Sequence, residues 1–102
     1  MARIRISEPA QLDIDSIWDY VSSKNTSAAV RFVHRLAKLF ERLAKMPRLG
    51  ERFVHALPRV RLFTASAYVI AYQELDDGIL VLRVIHSARD WQAMLDAMDI
   101  SE

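Results

Sequence analysis

His86 is the residue of this sequence best placed to move a proton. It ends the apolar run Ile79-Leu80-Val81-Leu82-Arg83-Val84-Ile85 and is followed by Ser87-Ala88-Arg89-Asp90. An imidazole can act as general acid or base near neutral pH. Cleaving RNA through its 2′-hydroxyl needs such a group together with cations that hold the phosphate. Arg61, Arg83 and Arg89 are the cations available. Alternation weighs against one pairing, because residues 83 and 86 point to opposite faces of a regular strand. They share a site only if the strand bends or ends first. The plainer role for His86 is to hold the strand-to-helix turn together with Asp90.

Other chemistries find little here. There is no G-x-S-x-G elbow, no P-loop and no dinucleotide fingerprint. His34, His55 and His86 lack metal-ligand spacing, and the absence of cysteine excludes disulfides, thiolate metal sites and a cysteine nucleophile. No cofactor and no metal are expected. His34 falls on the polar side of a helix and reads as a solvated surface residue, and His55 lies in a loop segment.

Charge is the stronger signal. The net charge of +1 hides an asymmetry, because residues 24–61 carry ten Lys and Arg against two acids, a local charge of +8. Residues 1–23 carry −2 and residues 62–102 carry −5. Arg31, Arg35, Lys38, Arg42 and Lys45 fall on one narrow arc of a helix, and Arg48, Arg52, Arg59 and Arg61 extend the patch. This is either a solvated face or a surface for a polyanion or an acidic protein partner. No aromatic residues interleave with the stripe, so stacking of single-stranded nucleic acid has little support.

The elements that carry these residues follow from periodicity. Ala2, Ile4 and Ile6 alternate with Arg3 and Arg5, which predicts a short strand. Ser7 then caps a helix with Pro9 in its first turn. Ala10, Ile14, Ile17, Trp18 and Val21 form its apolar stripe, with Asp15 and Asp19 opposite and Leu12 left on the polar side. Ser22 to Ser27 is a turn, and Thr26 or Ser27 can cap a second helix running from about Ala28 to Met46. Its apolar arc is Ala29, Phe32, Val33, Leu36, Ala37, Leu39, Phe40, Leu43 and Ala44. The short connection makes the two helices an antiparallel hairpin.

Pro47-Arg48-Leu49-Gly50 reads as a turn, and beyond residue 58 the period changes to strands. Residues 59–63 and 67–72 are rich in strand formers, and Asp76-Asp77-Gly78 signals a hairpin turn. The run 79–85 has no polar face, so both of its faces must be covered. The helical hairpin covers one. Trp91, Met94, Leu95 and Met98 give a short C-terminal helix that is part of a lid for the other. Asp96, Asp99 and Glu102 oppose its dipole, so that helix should be frayed alone.

The reading is a single α+β domain over residues 1–102: an N-terminal strand and helical hairpin on a three- to four-stranded antiparallel sheet, with a short C-terminal helix. No signal-like leader and no run of about 18 apolar residues is present, so a cytoplasmic protein is expected.

Several segments together resemble a known family. They are Asp13-Ile14-Asp15-Ser16-Ile17-Trp18-Asp19-Tyr20-Val21, Ala28-Ala29-Val30-Arg31-Phe32, Pro47-Arg48-Leu49-Gly50, Tyr68-Val69-Ile70-Ala71-Tyr72, and Leu82 to Asp90. Their order and spacing resemble the RelE/ParE superfamily of bacterial type II toxins, on its ParE branch. The resemblance implies a cognate antitoxin, ParD-like or similar, whose C-terminal segment wraps and silences the toxin. Such a segment would cover the apolar face at Leu80, Leu82 and Trp91 and meet Arg31, Arg35, Lys38, Arg42, Arg59 and Arg61 with acidic residues. The ParE branch implies DNA gyrase as target. The RelE branch implies a ribosome-dependent endoribonuclease, with His86 as acid or base and Arg61, Arg83 or Arg89 on the phosphate. A member that only binds its antitoxin is the third reading.

Overall fold

The computed structural model describes residues 2–53 and 60–98. His55 and Arg59 lie outside them, as do Asp99 and Glu102. The first strand, β1 (Arg3–Ile6), passes through Ser7 into α1 (Glu8–Lys24). Ser7 caps that helix as expected: its backbone is extended, its Oγ accepts from the Ala10 N–H, and Pro9 sits in the first turn. The same hydroxyl donates to the Leu82 carbonyl at 3.0 Å, tying the helix start to the sheet.

One residue, Asn25, separates α1 from α2 (Thr26–Lys45). Its N–H closes α1 on the Val21 carbonyl, and its Oδ1 accepts from the Ala28 N–H. The cap is therefore Asn25, and Thr26 and Ser27 lie inside the first turn. Asparagine caps as well as serine, and placing the cap one or two residues earlier lengthens the helix by as many residues.

Phe32, Leu36, Phe40, Leu43, Ala29 and Ala44 of α2 are buried, and Val33 and Leu39 pack partly against them. Ala37, expected inside, is exposed; a single methyl costs little to leave in water. Arg31, Arg35, Lys38, Arg42, Lys45 and His34 are all exposed, as their arc requires. Leu12 of α1 is likewise exposed.

After a 3-10 turn at Pro47–Leu49 come β2 (Glu51–Arg52), β3 (Val60–Ala65), β4 (Tyr68–Leu75) and β5 (Gly78–His86). The sheet has five strands in the order β1-β5-β4-β3-β2. The expected sheet of three to four antiparallel strands is thus corrected twice. The β1 strand joins it in parallel with β5, while the other pairs are antiparallel. The β5 run, apolar on both faces, is an interior strand with a neighbour on each side. The β2 strand is only two polar residues long, too short for alternation to reveal.

Gly78 makes the parallel pairing possible, because a Cβ there would lie 1.8 Å from the Arg3 carbonyl oxygen. A register shift in β5 pairs Ala71 with Arg83 but Tyr72 with Val81, leaving Leu82 as the extra residue. Ile79, Val81 and Val84 face the helices, while Leu82 and Ile85 face the other side.

That other side holds its own cluster of Phe53, Val60, Ala71, Leu82, Ile85 and Leu95. The last helix, α3 (Trp91–Asp96), covers it, with Leu95 buried and Trp91, Met94 and Met98 partly so. Asp90 caps α3 by accepting from the Ala93 N–H. The expected partial lid is therefore folded onto the sheet.

Candidate functional site: a pocket beside the end of β5

The sheet edge beside β5 changes character halfway along. The β1 strand pairs with residues 78–81 only, and its last link is the Ser7 N–H donating to the Val81 carbonyl. Beyond that point α1 lies where a strand would continue. Asp13 supplies what the missing strand cannot: its Oδ2 accepts from the Val84 N–H at 2.9 Å. The same carboxylate takes a bidentate pair from Arg83, Nε at 2.7 Å and Nη2 at 2.9 Å. The hydrogen bonds that Arg83 donates to Asp13 hold the guanidinium pKa above its already high ordinary value, against the opposing cost of burial. Asp13 neutralises this cation, so Arg83 is committed to holding α1 against β5.

His86 ends β5 and is exposed. Its Nδ1 accepts from the Ala88 N–H at 3.0 Å, and its carbonyl accepts from the Arg89 N–H. His86 thus shapes the turn, and Asp90 separately caps α3, which is the plainer role expected of the two. With Nδ1 used as acceptor, the neutral ring carries its proton on Nε2.

A cavity of about 250 Å³ opens beside this turn, lined by Asp13, Ser16, Ile17, Tyr20, Tyr68, Val84, His86 and Arg89. Tyr68 pairs with His86 across the strands, and their rings meet edge-on with centroids 5.3 Å apart. On its other side the Tyr68 ring meets Phe32 at 5.2 Å. There it helps line a second cavity of about 250 Å³ with Phe32, Leu36, Leu39, Phe63 and Ile70, rimmed by Arg35 and Arg42. Tyr68 is a wall shared by both cavities.

His86 and Arg89 are therefore brought together. Arg83 touches Asp13 at the cavity wall but is spent on the ion pair. The expectation that residues 83 and 86 lie on opposite faces holds, since Val84 faces the helices and Ile85 does not; the Arg83 side chain reaches Asp13 around the open strand edge. Arg61 is elsewhere. It pairs with Tyr72, four residues along β3 from the Ala65–Tyr68 pair, roughly 13 Å away at a strand's rise per residue. Its Nη1 donates to the Gly50 carbonyl at 2.8 Å, and its Nε lies 3.6 Å from the Glu74 carboxylate.

Around Arg61 the packing is tight. Tyr72 is fully buried; its hydroxyl donates to the Pro47 carbonyl and accepts from the Gly50 N–H. Burial pushes the Tyr72 pKa up, opposed by the Gly50 hydrogen bond and by Arg61. Gly50 is required here, because a Cβ would lie 2.5 Å from the Tyr72 hydroxyl. Arg61 thus helps bind the turn after α2 to the sheet.

On the other sheet face, Leu82 is 4% exposed and lies beneath α3, while Leu80 and Trp91 are half-buried at its margin. Among the described residues no helix is long and apolar enough to cross a membrane, and no three His, Cys, Asp or Glu side chains group as metal ligands.

The family model for the ParE toxin of the type II toxin–antitoxin system parDE matches residues 4–91. The chain belongs to the ParE toxin family. A curated relative, Toxin ParE3 from Caulobacter vibrioides, is 24% identical over 96 residues, covering 93% of this chain and 96% of the relative. A chain of the chromosomal ParDE toxin–antitoxin system from P. aeruginosa has the same fold, with a TM-score of 0.67 at 21% identity over 84% of this chain and 96% of that one. Membership makes this a ParE-type toxin of a toxin–antitoxin system, with an antitoxin as partner.

Three residues lining the cavity with His86, namely Asp13, Tyr20 and Tyr68, carry no chemical signal in the sequence. Asp13 was legible only as part of the α1 segment that carries the resemblance. Tyr20 and Tyr68 stood in segments that carry the resemblance, and nothing in their spacing showed that one hairpin and one helix would bring them to His86.

Proposed function

We propose that this ParE-family toxin acts by binding DNA gyrase in the cytoplasm rather than by cutting RNA, and that its antitoxin silences it from the α2 side. The observation that carries the preference for binding is the fate of the arginines. Arg83 is engaged by Asp13, Arg61 is engaged by Gly50 and Glu74, and of the four candidate residues His86 and Arg89 alone line one cavity among the described residues. Phosphoryl chemistry without a metal needs several cations converging on one phosphate. Gyrase as the target follows from ParE-branch resemblance.

For the antitoxin, support comes from the apolar cavity rimmed by Arg35 and Arg42 beside the exposed Arg31 and Lys38. An amphipathic helix with acidic flanks fits such a groove. Arg59 and Arg61 extend the basic surface in sequence. Trp91 and Leu80 offer a second contact at the margin of α3, and Leu82 joins them only if α3 lifts.

Purified toxin should inhibit gyrase supercoiling in the absence of ribosomes. Full supercoiling at saturating toxin would overturn this reading. The pairing of His86 with Arg89 favours the endoribonuclease as second reading. Discrete cuts in cellular mRNA after induction, mapped by primer extension, would support it. Normal growth after induction, with intact messages and active gyrase, would leave antitoxin binding as the remaining function.

A further inference from the structure

We infer that the cavity between α1 and the end of β5 is a socket for a single carboxylate-bearing side chain of a protein segment, seated beside an apolar residue of that segment. The inference adds a second contact site to the binding reading above and rests on it only in taking the ligand to be protein.

Two of the cavity's polar groups keep donors to offer. Arg89 is exposed and makes no ion pair among the described residues. His86 has Nδ1 occupied by the Ala88 N–H, which leaves Nε2–H as a donor. Ser16 and Tyr20, which each carry a hydroxyl, also line the space. These groups can donate, and the one carboxylate in the lining, Asp13, is already paired with Arg83 and the Val84 N–H. The remaining walls are Ile17, Val84 and the rings of Tyr20 and Tyr68. Tyr20 is 66% exposed although it is a large ring. Lys24 Nζ stands 5.1 Å from its centroid and adds positive charge at the rim.

The chemistry selects one anion over a chain of them. Glu8, Asp15 and Asp19 lie on α1 against the single cation Lys24, while Asp13 is paired with Arg83. A nucleic-acid backbone carries a charge at every nucleotide, so laying it across α1 sets phosphates against these carboxylates. A lone carboxylate entering the cavity meets Arg89, His86, Ser16 and Tyr20, and the one acid in the lining, Asp13, has its charge offset by Arg83. Its apolar neighbour then packs on Tyr68 or Tyr20. Because Tyr68 also walls the groove beside Phe32, the segment can continue from one cavity to the other.

The test uses the full chain, labelled for NMR, and three probes. They are an N-acetylated, C-amidated Phe-Glu-Leu peptide, its Phe-Gln-Leu isostere, and a hexauridylate. The Glu peptide should shift the resonances of Tyr20, Tyr68, His86 and Arg89. The Gln peptide should bind about tenfold more weakly, the loss of one charge-assisted contact. Arg89→Gln should weaken the Glu peptide by a similar factor while leaving the spectrum of the fold intact, and Arg89→Lys should restore part of it. Equal binding of Glu and Gln peptides, or no shifts at these residues, overturns the inference. So does hexauridylate shifting them more strongly than the Glu peptide, which would make the cavity a nucleic-acid site. None of these outcomes depends on gyrase inhibition, so the inference and the functional reading fail separately.

Discussion

The carboxylate of Asp13 binds the Arg83 guanidinium through two hydrogen bonds and the Val84 N–H through a third. One side chain thereby closes a strand edge, neutralises a cation and fixes the first helix to the last long strand. Asp13 and Arg83 side chains are only 12% and 17% exposed, so solvent screens the pair weakly. Asp13→Ala should cost about 2–4 kcal/mol, since it leaves a desolvated cation and a backbone donor unpaired. Chemical denaturation checks this. Arg83→Met should cost less than Asp13→Ala, because the carboxylate keeps the Val84 N–H and no cation is stranded.

Tyr72 predicts an alkaline limit on stability. Burial raises its pKa above the ordinary tyrosine value of 10.0, so the unfolded chain releases this proton first as pH rises. The contribution is complete below pH 10 and falls as pH climbs from there to the folded-state pKa. Tyr72→Phe should flatten that part of the profile. It should also cost about 1–3 kcal/mol at neutral pH, because the Gly50 N–H and Pro47 carbonyl lose their buried partner. Denaturation midpoints measured between neutrality and strong alkali test both statements.

The basic face of α2 is separable from the fold. Arg31, Arg35 and Lys38 are exposed, and reversing all three to Glu should change stability by no more than about 0.5 kcal/mol each. Antitoxin affinity should fall well beyond that, and the loss should shrink at high salt. Calorimetric titration with the antitoxin at two ionic strengths checks the direction. Unfolding of the triple variant would contradict the placement of this face.

Leu95 is the anchor of α3, 2% exposed from a helix of six residues. Leu95→Ala should destabilise the chain by about 2–4 kcal/mol. It should also uncover Leu82 and Ile85, raising binding of a hydrophobic dye before global unfolding. A variant that loses stability without added dye binding would mean that α3 and the sheet unfold as one unit.

Much of this architecture was legible because periodicity reports burial. Phe32, Leu36, Phe40 and Leu43 fixed the inner face of α2, and Ser7 with Pro9 fixed the start of α1. The failures have local causes. Asn25 serves two helices at once, so the turn signal of Ser22 to Ser27 concealed how short the connection is. Glu51 and Arg52 carry no apolar alternation, so β2 left no trace. Of the site, His86 and Arg89 were visible as chemistry, but Arg61 was misjudged as a partner for them because its distance along β3 depends on strand register. Asp13 was invisible in its role, since a carboxylate that completes a strand edge looks in sequence like any other acid on a polar helix face.

The parallel pairing of residues 3–6 with residues 78–81 has a consequence for synthesis. The strand made first finds its partner only after residue 81 has been translated and released, and closing so long a loop is slow. Until then Asp13 has neither Arg83 nor the Val84 N–H to hold, and the cavity beside His86 does not exist. A nascent or truncated chain without β5 therefore lacks this cavity, which comes into being in one late step.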